Sequence, residues 1–291
     1  MTTYDAVVVG GSGAVGSLIA QLLASDGSTV LTVDRVAPQH SETGVHHVVG
    51  DVLAPDPELE AILGAAPIVV LAVPESIALQ TVSLPLKPTT LLVETLSVKS
   101  GFAQAVPEET GPVLGINPMF APSLGMEGRP VAAVTHRPGP EVDRFLRRIE
   151  TWGARVVELD ADAHDRLAAA TQALTHAAVL AFGSALSDLG VDPSLVDAVA
   201  PPPARTLLAL VARVSGGEPE VYWDVQAGNP YAAAARSALA NGLRELDAVV
   251  TTGTEADFTE VMHSAGASVP NGDIYRALCS DLFGTVRGST T

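Results

Sequence analysis

Hydrophobic and polar positions are patterned differently in the two halves of this chain. From Tyr4 to about Asp160, short runs rich in β-branched residues alternate with helical stretches, which is typical of βαβ units around a mostly parallel sheet. The predicted strands are Ala6–Val9, Thr29–Asp34, Val45–Val49, Ile68–Val73, Thr90–Glu94, Val113–Ile116, Val131–Thr135 and Arg155–Leu159. We therefore expect the first half to be an α/β domain.

After Asp160 the strand pattern stops and alanine-rich helical sequence takes over. Helices are predicted at Ala163–Leu189, Ala204–Val214, Pro219–Thr252, with a candidate break at Gly228-Asn229-Pro230, and Glu255–Ala265. Compact domains run roughly 100–200 residues, so a chain of 291 residues has room for two. The change in pattern predicts a first domain over 1–160 and an all-helical second domain over 161–291.

A glycine-rich turn follows the first predicted strand and opens a helix. It reads Gly11-Ser12-Gly13-Ala14-Val15-Gly16. Gly11 permits the tight turn, Gly13 lets the backbone approach a pyrophosphate, and Gly16 lets the helix pack on the strand. Alone this motif is weak and also fits a turn without a ligand. Here the strand and helix surround it, and the second strand ends at Asp34, where a carboxylate can bind ribose hydroxyls. These features predict a Rossmann-type dinucleotide-binding domain over 1–160.

The same region carries the cofactor preference. Asp34 would repel a 2′-phosphate, which favours NAD, whereas the neighbouring Arg35 leaves NADP open. Val73 ends the predicted fourth strand, on the side where such folds bind the nicotinamide. We expect these residues to contact the cofactor together with the glycine-rich turn.

Charge and composition exclude several classes of partner. The net charge of −17 repels nucleic acid and anionic lipid, since both require basic surface. Uninterrupted apolar runs are shorter than the roughly 18 residues of a membrane span, so a soluble, cytoplasmic protein is expected. Cys279 is the only cysteine, which rules out an internal disulfide and a thiolate metal cluster. No metal site is predicted.

Several polar side chains are placed where chemistry is expected. Ser97-Val98-Lys99 and the loop from Gly115 to Pro122 both follow predicted strands, at the sheet edge where ligands bind in such folds. In the helical half, His164, Gln172 and His176 lie on one i, i+4 row, which indicates a cleft or an interface. The alternative for His176 is an ordinary core or surface histidine.

One arginine is placed to bind an anion. Arg205 follows Pro201-Pro202-Pro203 at the start of a helix, where the guanidinium and the helix N-terminus both favour negative charge. A surface salt bridge is the alternative. Arg213, on the same predicted helix, is interpreted as structural.

Over almost its whole length the chain resembles the prephenate dehydrogenase family. The resemblance rests on GSGAVG, SVK, NPMFAP, QALTH, ARTLLALVAR and EVYWDVQAGNP, which occur in the family's order and near its spacings. It implies a Rossmann domain followed by a helical domain that dimerises, and NAD(P)-linked oxidative decarboxylation of a cyclohexadienol that carries two carboxylates. It also implies that Ser97 and Lys99 line the nicotinamide and substrate rim, that Gln172 and His176 face the cleft, and that Arg205 binds the substrate carboxylate.

One departure from the family pattern concerns the reaction itself. Where the family reads HPMF, with a histidine that assists deprotonation of the ring hydroxyl, this chain has Asn117. An amide takes up no proton at neutral pH, so a hydroxyl substrate loses its base. An amine at the same ring position supplies its own lone pair. We therefore rank first the relatives that convert 4-amino-4-deoxyprephenate to 4-aminophenylpyruvate for antibiotic biosynthesis. Prephenate or arogenate oxidation is the first alternative, and an inactive dinucleotide-binding regulator is the second.

Overall fold

The computed structural model describes residues 3–38 and 43–286. The chain divides into two compact units. The first extends to Ala168 and includes Ala227–Asn229, and the second comprises Ala169–Gln226 and the chain from Pro230 onward.

A single eight-stranded sheet forms the centre of the first unit, in the order β3-β2-β1-β4-β5-β6-β7-β8. The strands are β1 Ala6–Val9, β2 Val30–Asp34, β3 Val45–Val49, β4 Ile68–Leu71, β5 Leu91–Glu94, β6 Val113–Pro118, β7 Pro130–Arg137 and β8 Arg155–Glu158. Neighbouring strands are parallel except β6 and β7, which pair antiparallel. The expected Rossmann-type sheet is confirmed, and each predicted strand overlaps an observed one.

Helices cover both faces of this sheet. They are α1 Ala14–Ser25, α2 Pro57–Ala65, α3 Glu75–Ala78, α4 Ser100–Ala105, α5 Pro140–Thr151 and α6 Ala161–Ala168. Successive side chains of a strand point to opposite faces, so Val7 and Val8 enter different apolar clusters. The cluster with Val8 contains Ile19 of α1 and Phe145 of α5, and the cluster with Val7 contains Leu63 of α2. The sheet is thereby held rigidly from both sides.

The second unit is helical. A π-helical turn, Ala169–Ala173, leads into α7 Leu174–Asp188, and α8 Pro193–Val199, α9 Pro202–Ser215 and α10 Pro219–Trp223 follow. A second π-helical turn, Asp224–Gly228, precedes α11 Ala232–Thr252, α12 Glu255–Ala267 and α13 Gly272–Thr285. Large apolar side chains stay exposed along α11, α12 and α13, among them Leu243, Val250, Phe258, Met262, Ile274 and Leu282.

Two features of this organisation differ from the sequence-based expectation. The compact units divide after Ala168 rather than after residue 160, because His164 and Asp165 of α6 bond to groups of the first unit. Helices α8 and α13 were not predicted, because neither segment combines a long apolar period with a strong start signal.

The continuous helical stretch Ala161–Asp188 has 28 residues and contains an 18-residue window with a mean hydropathy of 1.2, enough by length and composition to cross a membrane. This is weak evidence, because a core helix of a soluble protein passes the same test. Its first turns also bury the polar side chains of His164 and Asp165 in hydrogen bonds, as described below. We interpret the stretch as part of the folded domains.

Candidate active site

A cavity of about 210 Å³ lies where β1, β2 and β4 end, beside the glycine-rich turn. Four of the residues that the sequence suggests for cofactor contacts line it: Gly13, Asp34, Arg35 and Val73. Sequence analysis missed several other lining residues, which lie directly before the glycine-rich turn, on the loop after β3 and on helix α3: Gly10, Gly50, Asp51, Val52 and Ile77.

The glycine-rich turn has the close packing that its residues predict. A Cβ atom on Gly11 would lie 2.3 Å from Cβ of Thr32, and one on Gly16 would lie 2.2 Å from the Gly10 carbonyl oxygen. Helix α1 has no side-chain cap and no acidic residue in its first turn, so the amides that follow Gly13, beginning with Ala14 and Val15, are not covered by a side chain. A helix N-terminus in this state attracts anions. The turn therefore fits a dinucleotide pyrophosphate.

Asp34 connects the turn to the end of β2. Its carboxylate accepts hydrogen bonds from the backbone N–H of Ser12 at 3.0 Å and of Val36 at 3.2 Å. The Ser12 hydroxyl donates to the Val36 carbonyl oxygen at 2.7 Å. These bonds fix the carboxylate at the rim of the cavity, next to the exposed Arg35. A negative group held there favours ribose hydroxyls over a phosphate.

Lys99 lies in a buried ionic cluster. Its ammonium donates to Glu94 Oε2 at 2.7 Å and to the Ile116 carbonyl oxygen at 2.8 Å, and its side chain is 0% exposed. His136 Nε2 lies 2.9 Å from Glu94 Oε1. Burial lowers the pKa of Lys99, although the Glu94 carboxylate opposes that change. A Cβ on Gly115 would lie 2.1 Å from Glu94 Oε1, so this position has no room for a side chain.

The cluster changes the interpretation of Lys99. With its side chain sealed and its ammonium bonded to Glu94 and Ile116, Lys99 supports the strands rather than facing a ligand. Glu94 and His136 were not among the sequence candidates. A charged residue at the end of the apolar strand Leu91–Glu94 was the signal that could have found Glu94.

Asn117 lies at the end of β6 and is bonded to α6. Its Nδ2 lies 3.2 Å from His164 Nε2, and His164 Nδ1 lies 2.8 Å from Asp165 Oδ1. Asp165 also accepts from the backbone N–H of Lys99 at 2.8 Å and of Ser100 at 3.0 Å. Burial on its own raises the pKa of Asp165, but the hydrogen bonds from His164, Ser100 and Lys99 outweigh it and hold that pKa below its usual value.

His164 is therefore not part of a polar row with Gln172 and His176. The π-helical turn Ala169–Ala173 widens the helix between them and breaks the i, i+4 register. Ser97 lies half-buried on the loop after β5, and within the described residues its hydroxyl makes no hydrogen bond.

Two polar side chains of the second unit are left without partners. Among the described residues, Gln172 Oε1 and His176 Nδ1 are buried and accept or donate no hydrogen bond. The His176 ring packs edge-on against Tyr222 at a centroid distance of 4.8 Å. Burial lowers the pKa of His176, so its imidazole is neutral at pH 7. Buried polar atoms without partners are uncommon in folded proteins and often mark functional positions.

The sequence suggested a ligand-binding Arg205 and a structural Arg213 on α9, but their environments in the structure are the reverse. Arg205 donates to the carbonyl oxygens of Asp197 at 2.7 Å and Ala200 at 3.2 Å, and to the Asp197 carboxylate at 3.3 Å. Its guanidinium thus binds the C-terminal end of α8. Arg213 is exposed and makes no hydrogen bond or ion pair with the described residues. Only Arg213 has a free guanidinium for a carboxylate.

The chain matches known proteins both over residues 160–264 and over almost its whole length. Residues 160–264 match the family model described as "Prephenate dehydrogenase, dimerization domain". A 4-amino-4-deoxyprephenate dehydrogenase from Streptomyces pristinaespiralis is 48% identical over 284 residues, which cover 95% of each chain. The T-protein of Enterobacter agglomerans is 33% identical over 75% of this chain, which spans 55% of the T-protein's length.

Solved structures share the fold. Prephenate dehydrogenase from A. aeolicus, crystallised with hydroxyphenyl propionate and NAD+, superposes with a TM-score of 0.70 at 16% identity, covering 92% of this chain and 97% of that one. Arogenate dehydrogenase from Synechocystis gives 0.62 at 20% identity, covering 94% and 99%. With a relative of 48% identity along almost its entire length, this chain belongs to the prephenate dehydrogenase family of oxidoreductases.

Proposed function

We propose that this protein catalyses the NAD-dependent oxidative decarboxylation of 4-amino-4-deoxyprephenate to 4-aminophenylpyruvate. The observation that carries the proposal is Asn117, in an NPMF segment that resembles the family's HPMF motif with its proton-accepting histidine. The 48% identity to a protein named for this substrate supports the same assignment.

The chemistry explains why an amide suffices at position 117. A bound nicotinamide cofactor supplies the hydride acceptor. Hydride leaves ring C4, carbon dioxide leaves C1, and the lone pair of the neutral amine drives the change as the ring becomes aromatic. Neither reaction removes a proton from the substituent overall, since the amine ends as an arylamine and the hydroxyl as a phenol. The neutral amine nitrogen donates its lone pair strongly enough to release hydride while it keeps its protons. The weaker hydroxyl oxygen must instead pass its proton to a base as hydride leaves and regain one as the ring becomes aromatic. Asn117 then needs only to accept an N–H bond, and unlike an imidazolium it carries no charge near the amine.

Other residues have supporting roles in this proposal. The Gly11–Gly16 turn holds the pyrophosphate, and Asp34 favours NAD over NADP at the ribose. Ser97 lies after β5 with a free hydroxyl, and Gln172 and His176 carry the unpartnered polar atoms of the second unit. For the substrate carboxylate we favour Arg213 over Arg205, because the guanidinium of Arg205 is bound to α8.

The setting of the enzyme is also a proposal. The exposed apolar side chains on α11, α12 and α13 form a surface that a second copy of the chain would bury, and the matched dimerisation-domain model covers α11 and most of α12. We propose a cytoplasmic homodimer that supplies an aromatic amino acid-derived antibiotic pathway.

Oxidation of prephenate or arogenate is the second candidate function. Relatives named for those activities favour it, including arogenate dehydrogenase 2 of Arabidopsis thaliana at 32% identity over half of this chain. His176 or a water molecule would then have to replace the missing base. An inactive dinucleotide-binding regulator is the third candidate function. Such a protein would not reduce NAD with either ring substrate.

The deciding experiment compares the two ring substrates on the purified protein. We expect high kcat/KM with 4-amino-4-deoxyprephenate and low kcat/KM with prephenate. Asn117→His should raise activity on prephenate, by up to the roughly 10²–10⁴-fold that a positioned general base contributes, and lower activity on the amine. Asn117→Gln is the matched control, because it changes the side chain without adding a base. Wild-type turnover of prephenate at least as efficient as that of the amine would refute the proposal.

A further inference from the structure

Three buried side chains of the first unit form a line of polar contacts that ends at Asn117. Asp165 is 0% exposed, His164 1% and Asn117 4%. The contacts join Asp165 Oδ1 to His164 Nδ1 at 2.8 Å and His164 Nε2 to Asn117 Nδ2 at 3.2 Å. Neither His164 nor Asp165 takes part in the reaction proposed above, so their placement beside Asn117 calls for its own explanation.

The direction of each hydrogen bond starts from Asp165. Two backbone N–H groups, those of Lys99 and Ser100, donate to its carboxylate at 2.8 Å and 3.0 Å. Burial raises the pKa of Asp165, but the side-chain bonds from His164 and Ser100, together with these backbone bonds, hold it below its usual value. An ionised carboxylate only accepts hydrogen bonds. The proton between Asp165 and His164 therefore sits on Nδ1 of His164.

This assignment fixes the other end of the imidazole. A neutral imidazole with its proton on Nδ1 has a lone pair on Nε2 and accepts there. The Asn117 amide must then present its NH₂ group to His164. The carbonyl oxygen of Asn117, Oδ1, takes no part in this contact, and within the described residues no group donates to it. Residue 117 thus offers its carbonyl oxygen to a ligand as an acceptor, while one N–H of its amide is held by His164.

We propose that His164 and Asp165 are positioning residues that hold the Asn117 amide with its carbonyl oxygen free, so that the site selects a ring substituent that donates a hydrogen bond. This inference rests on the proposed function for the identity of that substituent, an amine. It does not depend on it for the orientation of the amide. The reversed amide would need the proton on Nε2, and Nδ1 would then face the Asp165 carboxylate as acceptor against acceptor at 2.8 Å.

A matched pair of substitutions separates positioning from simple structural support. His164→Gln places an amide oxygen near the position of Nε2, where it still accepts from Asn117, but weakens the contact with Asp165. His164→Asn keeps a donor near the position of Nδ1 for Asp165 but no longer reaches Asn117. The measured quantity is the ratio of kcat/KM for 4-amino-4-deoxyprephenate over prephenate.

We expect His164→Gln to keep this ratio close to the wild-type value and His164→Asn to lower it about tenfold, the effect of losing control over one hydrogen bond. Support of the fold alone predicts an unchanged ratio in both variants, because a smaller fraction of folded enzyme lowers kcat/KM for the two substrates equally. A ratio in His164→Asn at or above that in His164→Gln would overturn the proposal.

A spectroscopic measurement on the unaltered protein is independent of substrate. With ¹⁵N-labelled histidine, the His164 signals are assigned among the seven histidines by their loss in His164→Gln. We expect a protonated Nδ1 and an unprotonated Nε2. A protonated Nε2 would overturn the proposal. If wild-type enzyme prefers prephenate while Nδ1 carries the proton, the proposed substrate is wrong and the orientation of Asn117 is supported.

Discussion

Buried charged side chains of the first unit have hydrogen-bond partners, whereas two buried polar atoms of the second unit have none among the described residues. Lys99 and Asp165 are fully buried, and each makes hydrogen bonds at 3.0 Å or less. In the second unit, Gln172 Oε1 and His176 Nδ1 are buried without a partner among the described residues, and the Arg213 guanidinium is free. Completed bonds stabilise a frame, whereas vacant ones leave donors and acceptors for a ligand.

Residues of the same type therefore have different roles in the two units. His164 and His176 are both at least partly buried. His164 Nε2 contacts Asn117, whereas His176 Nδ1 has no hydrogen-bond partner among the described residues. Lys99 and Arg213 are both cations, yet only Arg213 is accessible. Residue type alone therefore does not identify a ligand-binding side chain, and the state of its hydrogen bonds does.

The largest expected effect comes from replacing Lys99, the buried cation of the first unit. Lys99→Met should lower the free energy of unfolding by about 3–5 kcal/mol, because the Glu94 carboxylate and the Ile116 carbonyl oxygen lose their buried partner. Urea unfolding followed by circular dichroism measures it. As a control, Lys99→Met combined with Glu94→Gln should recover part of the loss. A change below about 1 kcal/mol in the single variant would mean that the cluster is not structural.

The two arginines of α9 test the comparison within one helix. Arg213→Ala should lower kcat/KM for the ring substrate about 10–100-fold, as expected when a charged hydrogen-bond partner is lost, with stability unchanged. Arg205→Ala should instead lower the free energy of unfolding by about 1–2 kcal/mol, because the end of α8 loses its donors. Steady-state kinetics and urea unfolding on both variants measure these effects. If Arg205→Ala alone impairs substrate use, the carboxylate site is at Arg205.

Asp34 sharpens the comparison, since it belongs to the first unit but lines an open cavity. The wild type should prefer NAD over NADP. Asp34→Ser should reduce this preference about tenfold, because it removes a negative charge from the place that the 2′-phosphate of NADP would occupy. The ratio of kcat/KM for the two cofactors measures this effect. Arg35→Ser is the matched control and should widen the preference. A wild-type preference for NADP would contradict the assignment of Asp34.

The smallest expected effect concerns pH and His176. Burial lowers the pKa of His176 in the folded protein below its ordinary value of 6.5. As pH falls below 6.5, the unfolded chain takes up a proton that the folded chain does not, so stability should decrease with decreasing pH. The ring is only half-buried, which limits the change to less than about 1 kcal/mol. His176→Phe keeps the contact with Tyr222 and should flatten the profile of unfolding free energy between pH 6.5 and 5. An unchanged profile would argue against a buried neutral imidazole.

Sequence patterns predicted the sheet and the cofactor turn but not the polar networks, for a physical reason. Strands and the turn are set by neighbouring residues, so apolar runs and glycine spacing are sufficient to find them. The contacts of Asn117 with His164 and of Glu94 with His136 join residues 47 and 42 positions apart. No local period encodes such pairs. The π-helical turn Ala169–Ala173, which contains Gln172, likewise has no sequence signature that the i, i+4 rule detects.

The bond between Lys99 and the Ile116 carbonyl oxygen has a consequence for how substrate preference changes over generations. It fixes the backbone immediately before residue 117 through an ammonium that does not touch the side chain at 117. That side chain can be exchanged while the strand beneath it stays in place. Asparagine and histidine codons differ by one base, so, under the proposed function, a lineage can cross between amine and hydroxyl chemistry in one mutational step without losing a folded protein on the way.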